Sequence, residues 1–256
     1  PVEIQMFGGE VRQLPKFLQK PGLSSLNDQQ ITEAARLLAK AGKPGIYVGW
    51  GGVEASEELK KLAERLNAPV ATTFQGLSAF RANHPLHTGV GFGASALPAG
   101  KKAFADCDCL IAGGARLSEL ATGSYGMVVP KNLIHIDINP DVFNKNYPAR
   151  VAVEGDAQIV LKAINAALDG QEIEPPKQKG ALEKMIAFEK EAYRATWMKK
   201  KHETLVSPGY FFQTLRDQTP QDVLMVVDDG KHTFLTAELF PVYEPGHLIS
   251  PTDFNC

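Results

Sequence analysis

The feature that most constrains this chain is the alternation of short apolar runs with stretches whose apolar residues recur at helical spacing. Strands are predicted at 45–49, 68–74, 109–112, 133–138 and 150–153. Helices are predicted at 27–41, 56–66, 97–105 and 157–168, with a polar, glycine-rich connection at 75–93. Short apolar strands that alternate with helices favour an α/β fold, in which a parallel sheet has helices on both faces.

A shorter pattern of the same kind follows in the last part of the chain. It comprises a linker at 169–180, a charged helix at 181–201, a helix at 207–218, a strand at 223–227, a helix at 232–240 and an extended segment at 247–250. Ser207 followed by Pro208 is a typical helix start. The last ~50 residues are too few to close an α/β core of their own. We therefore expect an incomplete second α/β unit that opens another domain.

Composition argues against several functional classes. The chain has 256 residues with 27 Lys+Arg and 29 Asp+Glu, and this formal net charge of -2 argues against a strongly basic nucleic-acid binder. No apolar run approaches the ~18 residues of a membrane span. Three cysteines cannot build a disulfide framework, so a reducing cytoplasm is expected. Pro1–Gln5 has no initiator Met and no signal pattern, and we expect a chain cut from a longer one.

The predicted turn after the first strand, Gly49–Glu54, is rich in glycine. At this place in a dinucleotide-binding fold, glycines let the backbone approach a phosphate beside the next helix. The third glycine of the usual fingerprint is replaced by Glu54, whose carboxylate would repel a pyrophosphate. The alternative, a tight turn that needs glycine for its own backbone, is the favoured interpretation.

Two further strand ends carry candidates for a ligand site. Gly113 and Gly114 precede Arg116, which could hold a phosphate or pair with Glu119 on the surface. Asp137 ends the next strand, where an acid can bind ribose hydroxyls or cap the following turn. Both interpretations of Arg116 stay open, whereas turn capping is favoured for Asp137. Ligands of open α/β sheets bind beyond the carboxyl ends of strands, so these residues mark one candidate edge.

The last strand-to-helix turn contains Gly230, Lys231 and His232. Backbone amides at a helix start together with a cation could hold a phosphate, and the alternative is an ordinary turn. Cys107 and Cys109 have no further Cys or His group to complete a zinc site, and we expect them to be buried. The sequence displays no catalytic constellation and no metal-ligand spacing.

Four runs, in order along the chain, carry a resemblance to one family. They are KPGIYVGWGGVEASEELKKLAERLNAPVATTFQGLSAFRANHPLHTG, DCDCLIAGGARLSELATG, NLIHIDINPDVFNKNYPARVAVEGDAQIVLKAI and VSPGYFFQTLRDQTPQDVLMVVDDGKHTFLTAELF. Together they resemble thiamine-diphosphate-dependent enzymes of the acetolactate synthase type. The likeness covers essentially the whole chain, which makes it more specific than any single motif.

The resemblance implies a parent enzyme with pyrimidine-binding, central and diphosphate-binding domains. The expected parts are the tail of the first domain at 1–20, a central Rossmann-like (DHS-like) domain at 21–172, a linker helix at 173–202 and the truncated start of the last domain at 203–256. The family's catalytic glutamate is expected before Pro1, and its motif for Mg²⁺ and diphosphate after Cys256. The resemblance therefore implies that this polypeptide alone does not turn over substrate.

The resemblance also implies a function and cofactors. The family cleaves or joins 2-keto acids with thiamine diphosphate and Mg²⁺. In such an enzyme this chain would supply scaffold and interfaces to the other domains, in a homo-oligomer. The alternative is a module that binds FAD or ADP without catalysis.

Site residues carry over by position. Arg116 matches the family's flavin-contacting arginine, and Asp137 matches an acid near the adenosine. The runs Thr88–Ala94 and Ser118–Leu120 depart from the family's pattern at this site, which counts against FAD. In the last unit, Gly230, Lys231 and His232 match the family's Gly-Gln/Glu-His at the diphosphate, with Lys231 as the departure.

Overall fold

The computed structural model describes residues 26–173, 180–199 and 204–250. Its strands are β1 (Pro44–Val48), β2 (Val70–Thr72), β3 (His87–Val90), β4 (Cys109–Gly113), β5 (Asn132–Asp137) and β6 (Val151–Glu154). They form one parallel sheet in the order β3-β2-β1-β4-β5-β6. This is the order of dinucleotide-binding folds, in which the direction of winding reverses between β1 and β4. The predicted α/β class with a Rossmann-like parallel sheet is confirmed.

One face of the sheet is covered by α1 (Asp28–Ala39), α2 (Ser56–Leu66) and α4 (Ala157–Leu168). The side chain of Asn27 accepts hydrogen bonds from the backbone amides of Gln29 and Gln30, which fixes the start of α1. The apolar stripes of the three helices pack on alternate side chains of the central strands. Fully buried members of this layer are Leu38, Leu59, Leu62, Val160, Ile46, Ile111 and Ile134.

The opposite face of the sheet has a smaller apolar layer. Tyr47, Leu110 and Leu133 project from the central strands and pack against Phe92 and Phe104. The helix α3 (Pro98–Ala103) and the segment 114–131 lie over this layer. The strands therefore bury side chains on both faces, which explains why their sequences are apolar throughout rather than alternating.

The last part of the chain forms a second, two-stranded parallel sheet. Its elements are α5 (Ala181–Met198), α6 (Pro208–Gln218), β7 (Met225–Val226), α7 (Lys231–Leu239) and β8 (Leu248–Ile249). This unit contacts the six-stranded sheet beyond the carboxyl end of β2, where the rings of Phe74 and Phe234 lie 5.3 Å apart. The helix α5 also lies against α3, so it joins the two units along the sheet edge.

Two sequence predictions are corrected and one is left outside the description. The stretch 75–93 is not only a connection, because it contains the edge strand β3. The charged helix ends at Met198 rather than at residue 201. The expected domain tail at 1–20 lies outside the described residues. Within the described ranges no helix is long and apolar enough to cross a membrane.

Candidate functional site

The turns that follow β1 and β4 meet at the carboxyl edge of the sheet, where the strand order reverses. The amide of Gly49 donates to the carbonyl of Gly113 (3.0 Å), and the amide of Gly51 donates to the carbonyl of Gly114 (3.1 Å). A Cβ on Gly51 would lie 2.9 Å from the Cα of Gly114. Gly114 has φ of +57°, in the left-handed region. Glycine is needed here because two backbones touch.

These contacts decide between the two interpretations of the first glycine turn. A phosphate cradle needs free backbone amides. However, the amides of Gly49 and Gly51 donate to the carbonyls of Gly113 and Gly114. The amide of Gly52 donates to the carbonyl of Gly49 (3.0 Å). The structure therefore favours the tight-turn interpretation at this position. Gly113 is different, because a Cβ there would meet no atom within 4 Å. Open space thus lies beside Gly113 at the end of β4.

Asp137 lies at the end of β5, the strand that pairs with β4. It is buried, and its Oδ1 accepts a hydrogen bond from the amide of Asn139 (2.9 Å). The side chain of Asn139 in turn caps the short helical turn that begins at Pro140. One carboxylate oxygen of Asp137 therefore serves the turn, as the favoured interpretation predicts. No hydrogen bond to its Oδ2 is recorded within the described residues, which leaves that oxygen for a ligand hydroxyl.

Arg116 follows β4 and is exposed. The alternative pairing with Glu119 is not found, because no ion pair of Arg116 is recorded within 26–173, 180–199 and 204–250. Gly113, Gly114, Arg116 and Asp137 thus share the carboxyl edge of neighbouring strands, as predicted. Open space is recorded beside Gly113, and Arg116 follows it in the chain as an exposed cation.

Gly230, Lys231 and His232 lie apart from that group, at the start of α7. Gly230 has φ of +150°, and Lys231 and His232 are exposed. The hydroxyl of Thr233 donates to the carbonyl of Asp228, which fastens the first turn of the helix to the preceding strand end. The exposed ammonium group of Lys231 at this helix start matches a diphosphate in charge.

The remaining titratable candidates at the sheet are structural. Burial lowers the pKa of His135, whose Nε2 lies 2.8 Å from the carbonyl oxygen of Ala115, so the ring is neutral. Burial raises the pKa values of the Cys107 and Cys109 thiols to about 12, which makes both thiols inert. No group of three or more His, Cys, Asp or Glu side chains that could hold a metal ion occurs in the described part of the chain.

Two polar residues have surroundings that the sequence does not indicate. Lys190 lies in the predicted charged helix, and His87 lies in the predicted polar connection. In the structure both line one cavity beside β3. The only sequence signal was an isolated His-Pro-Leu-His run, which does not indicate burial.

The comparisons with known proteins agree on one family. The family model described as the thiamine pyrophosphate enzyme, central domain, matches residues 31–164, more than half of the chain. A probable acetolactate synthase large subunit of Methanocaldococcus jannaschii is 42% identical over 147 residues, 56% of this chain and 25% of that protein. The acetolactate synthase isozyme 2 large subunit of Escherichia coli is 28% identical over 254 residues, 98% of this chain and 44% of that protein.

A third relative, an acetolactate synthase of Mycobacterium bovis, is 30% identical over 237 residues, 90% of this chain and 38% of that protein. The aligned part of the chain thus covers 25% to 44% of the length of these curated relatives. The family match covers β1 to β6 and the helices that cover them, which is the part of the molecule with the dinucleotide-binding strand order. This chain therefore belongs to the family of thiamine pyrophosphate enzyme central domains.

Proposed function

We propose that this chain is the central part of a thiamine-diphosphate-dependent enzyme of the acetolactate synthase type, which joins or cleaves 2-keto acids. The observation that carries the proposal is the continuous match of 98% of the chain to 44% of the Escherichia coli large subunit. A match of this kind extends beyond the central domain into the last unit, so it supports more than a shared Rossmann-like sheet.

The proposed role of the chain within that enzyme is to hold the other domains in place. Thiamine diphosphate, when bound with Mg²⁺, supplies the electron sink for carbon–carbon chemistry at a keto group. Within this chain, the start of α7 offers Lys231 to the diphosphate. We propose that the polypeptide alone is inactive.

The proposed domain boundaries are a pyrimidine-domain tail at 1–20, a central domain at 21–172, a linker helix at 173–202 and the start of the diphosphate-binding domain at 203–256. Exposure supports the last boundary. Val226 and Ile249 pair in register on one face of the two-stranded sheet and are 67% and 45% exposed. Apolar strand faces are covered in complete α/β domains, so further strands and helices are expected over this one.

We propose that the enzyme is a homo-oligomer. Tyr210 and Phe211 on α6 are 60% and 51% exposed, and this aromatic surface supports an interface. We also propose a reducing compartment, the cytoplasm, because Cys107 and Cys109 are both free thiols. Light scattering on the complete protein measures the first, and a single monomeric mass would contradict it.

A chimera tests the main proposal. The segment of the Escherichia coli large subunit that aligns with this chain is replaced by residues 1–256, and acetolactate formation from pyruvate is measured with thiamine diphosphate and Mg²⁺ present. The chimera should retain measurable turnover, and this chain alone should have none. The matched control is the chimera with Gly114→Val, which disrupts the contact between the two turns and should be inactive. Turnover by this chain alone would contradict the proposal.

A second candidate function is nucleotide binding without catalysis, with FAD or ADP as the ligand. It is favoured by the open space beside Gly113 and by the unused Oδ2 of Asp137. The hydrogen-bonded amides of Gly49 and Gly51 count against a pyrophosphate at the first turn. Thermal-shift titrations with FAD, ADP and NAD separate the two candidates, with Asp137→Asn as the variant and Asp141→Asn as its control. A shift with FAD or ADP that only Asp137→Asn weakens would select binding.

A further inference from the structure

A cavity of about 370 Å³ lies beside the edge strand β3, away from the candidate edge of the sheet. Its walls come from four parts of the chain: the loop before β3 with β3 itself, the start of α3, the helix α5, and the segment that ends α7. Most of the wall is apolar, with Leu77, Leu97, Ile186, Leu239, Phe240 and Val242 among the lining residues. A cavity of this size accommodates a small organic ligand. We refer to it as the edge cavity.

The ammonium group of Lys190 reaches the edge cavity from α5. Its Nζ donates to the carbonyl oxygen of Ala82 at 2.9 Å and to that of His87 at 3.4 Å. Both acceptors are neutral, and an ammonium group has three hydrogens to donate. Burial lowers the pKa of Lys190 to about 8, so the group is still mostly charged at pH 7. A half-buried cation bound only by carbonyls retains affinity for an anion.

His87 lies in the wall of the edge cavity, with its ring nitrogens buried. The residue is only 4% exposed, and neither ring nitrogen has a hydrogen-bond partner in the described part of the chain. Its ring stacks on Phe80 with a centroid distance of 6.3 Å. Burial, and then the charge of Lys190, hold the pKa of His87 well below its usual range. The ring is therefore neutral and offers one donor and one acceptor, and buried polar groups without partners are rare in proteins.

The other charged groups around the edge cavity are paired or exposed. Glu189 binds Lys102 at 2.6 Å, and Glu238 accepts a hydrogen bond from the hydroxyl of Tyr193. The ring of His84 contacts Glu64 at 3.2 Å. Glu191 and Arg194 are exposed, where water screens them. Lys190 is thus a half-buried cation for which no carboxylate partner is recorded in the described ranges.

We propose that the edge cavity binds a small monocarboxylate with a short apolar tail. The carboxylate accepts from Nζ of Lys190, and the tail lies along Leu97, Ile186 and Phe240. A single negative charge matches the charge of the Lys190 ammonium group. A phosphate dianion is disfavoured, because Lys190 neutralises only one of its two charges. The proposal does not depend on the proposed enzyme activity.

A titration with hexanoate tests the proposal on the complete chain. Chemical-shift changes of backbone amides should saturate with a Kd of about 1 mM and should map to β3, α5 and the end of α7. Hexanamide, which has the same tail but no charge, should bind at least tenfold more weakly. Lys190→Met should lose at least tenfold in affinity, whereas Lys184→Met, an exposed lysine of the same helix, should leave affinity unchanged.

Measuring hexanoate affinity at several pH values on the unmodified chain tests the proposal without any variant that could fail to fold. Raising the pH from 7 to 9 takes Lys190 through its pKa of about 8, so affinity should fall about tenfold. The titratable and charged groups that face the cavity from the neighbouring elements are His84, His87, Glu189, Glu191, Tyr193, Arg194 and Glu238. The proposal is overturned if amide shifts do not saturate by about 20 mM hexanoate, if hexanamide binds equally well, or if Lys190→Met binds unchanged.

Discussion

The six-stranded and the two-stranded sheets of this molecule arise from similar βα sequence patterns, but they differ in how their strands are covered. In the first, Ile46, Ile111 and Ile134 are fully buried between two apolar layers. In the second, Val226 and Ile249 end the two parallel strands as a register pair and are largely exposed. Strand sequence alone therefore does not decide burial, which depends on what packs over each strand.

The two sheets also differ in how their strand-to-helix turns are held. After β1 and β4, two turns are joined by paired backbone hydrogen bonds through glycines. After β7, a single turn carries exposed Lys231 and His232. In the first arrangement the backbone amides are already hydrogen-bonded within the protein, whereas in the second the polar side chains face solvent. This contrast is why we assign a structural role to the first glycine turn and a ligand role to the last.

The largest effect is expected where the two turns touch. Gly114→Ala should destabilise the chain by about 3 kcal/mol or more, because the new Cβ would overlap the backbone of Gly51 and φ is +57°. Urea unfolding followed by circular dichroism measures the loss. Gly113→Ala is the control, and should cost less than about 1 kcal/mol since its Cβ would meet no atom. Equal losses would show that the turns do not touch as described.

The next effect compares the same substitution in the two units. Leu59→Ala empties a fully buried position under the six-stranded sheet and should cost about 3 kcal/mol. Leu224→Ala, next to β7, should change stability by less than about 0.5 kcal/mol, because Leu224 is 53% exposed. Urea unfolding at two protein concentrations gives both values. A large loss for Leu224→Ala would mean that another copy of the chain covers that surface.

Much of the helical layer could be predicted from the sequence, because its signals are local. Asn27, Asp156 and Ser207 are capping residues that precede amphipathic runs, and all three accept hydrogen bonds from the first turn of a helix. The helices at 56–66 and 157–168 have the bounds that apolar spacing predicts. The parallel sheet followed from alternation of element types.

The parts that could not be predicted depend on contacts between distant residues. The strand β3 was missed because His87–Val90 is short and lies among glycines and polar residues, and its pairing with β2 is what makes it a strand. The contact between the Gly51 and Gly114 turns follows from strand order, which sequence alone does not contain. Likewise, Lys190 donates hydrogen bonds to carbonyls more than 100 residues away, and helical periodicity does not predict such contacts.

A medium effect is expected from pH, again with one histidine in each unit. The pKa of His87 lies well below its usual value, so between pH 6.5 and 5 the unfolded chain gains a proton that the folded chain does not. Stability should therefore fall with acid, by about 2 kcal/mol from this group over that range. His87→Phe should remove this part of the fall in urea unfolding at the two pH values.

Two features sharpen the test. His135 is also buried with a lowered pKa, so a smaller fall with acid should persist in His87→Phe. His232→Phe, at the exposed start of α7, should leave the dependence on pH as it is in the original chain. If His87→Phe had the full acid loss, His87 would have to be solvated rather than buried.

The smallest effect distinguishes the two units by their helix starts. The Asp156 carboxylate accepts from the amides of Gln158 (3.0 Å) and Ile159 (3.3 Å), and Asp156→Ala should cost about 1 kcal/mol. The hydroxyl of Ser207 accepts a single, longer bond from the amide of Tyr210 (3.4 Å), and Ser207→Ala should cost about 0.5 kcal/mol. Hydrogen exchange of the first-turn amides measures each helix separately. If Ser207→Ala exposed the whole two-stranded unit to exchange while Asp156→Ala loosened only its own helix, the second unit would open as one cooperative body with little stability of its own.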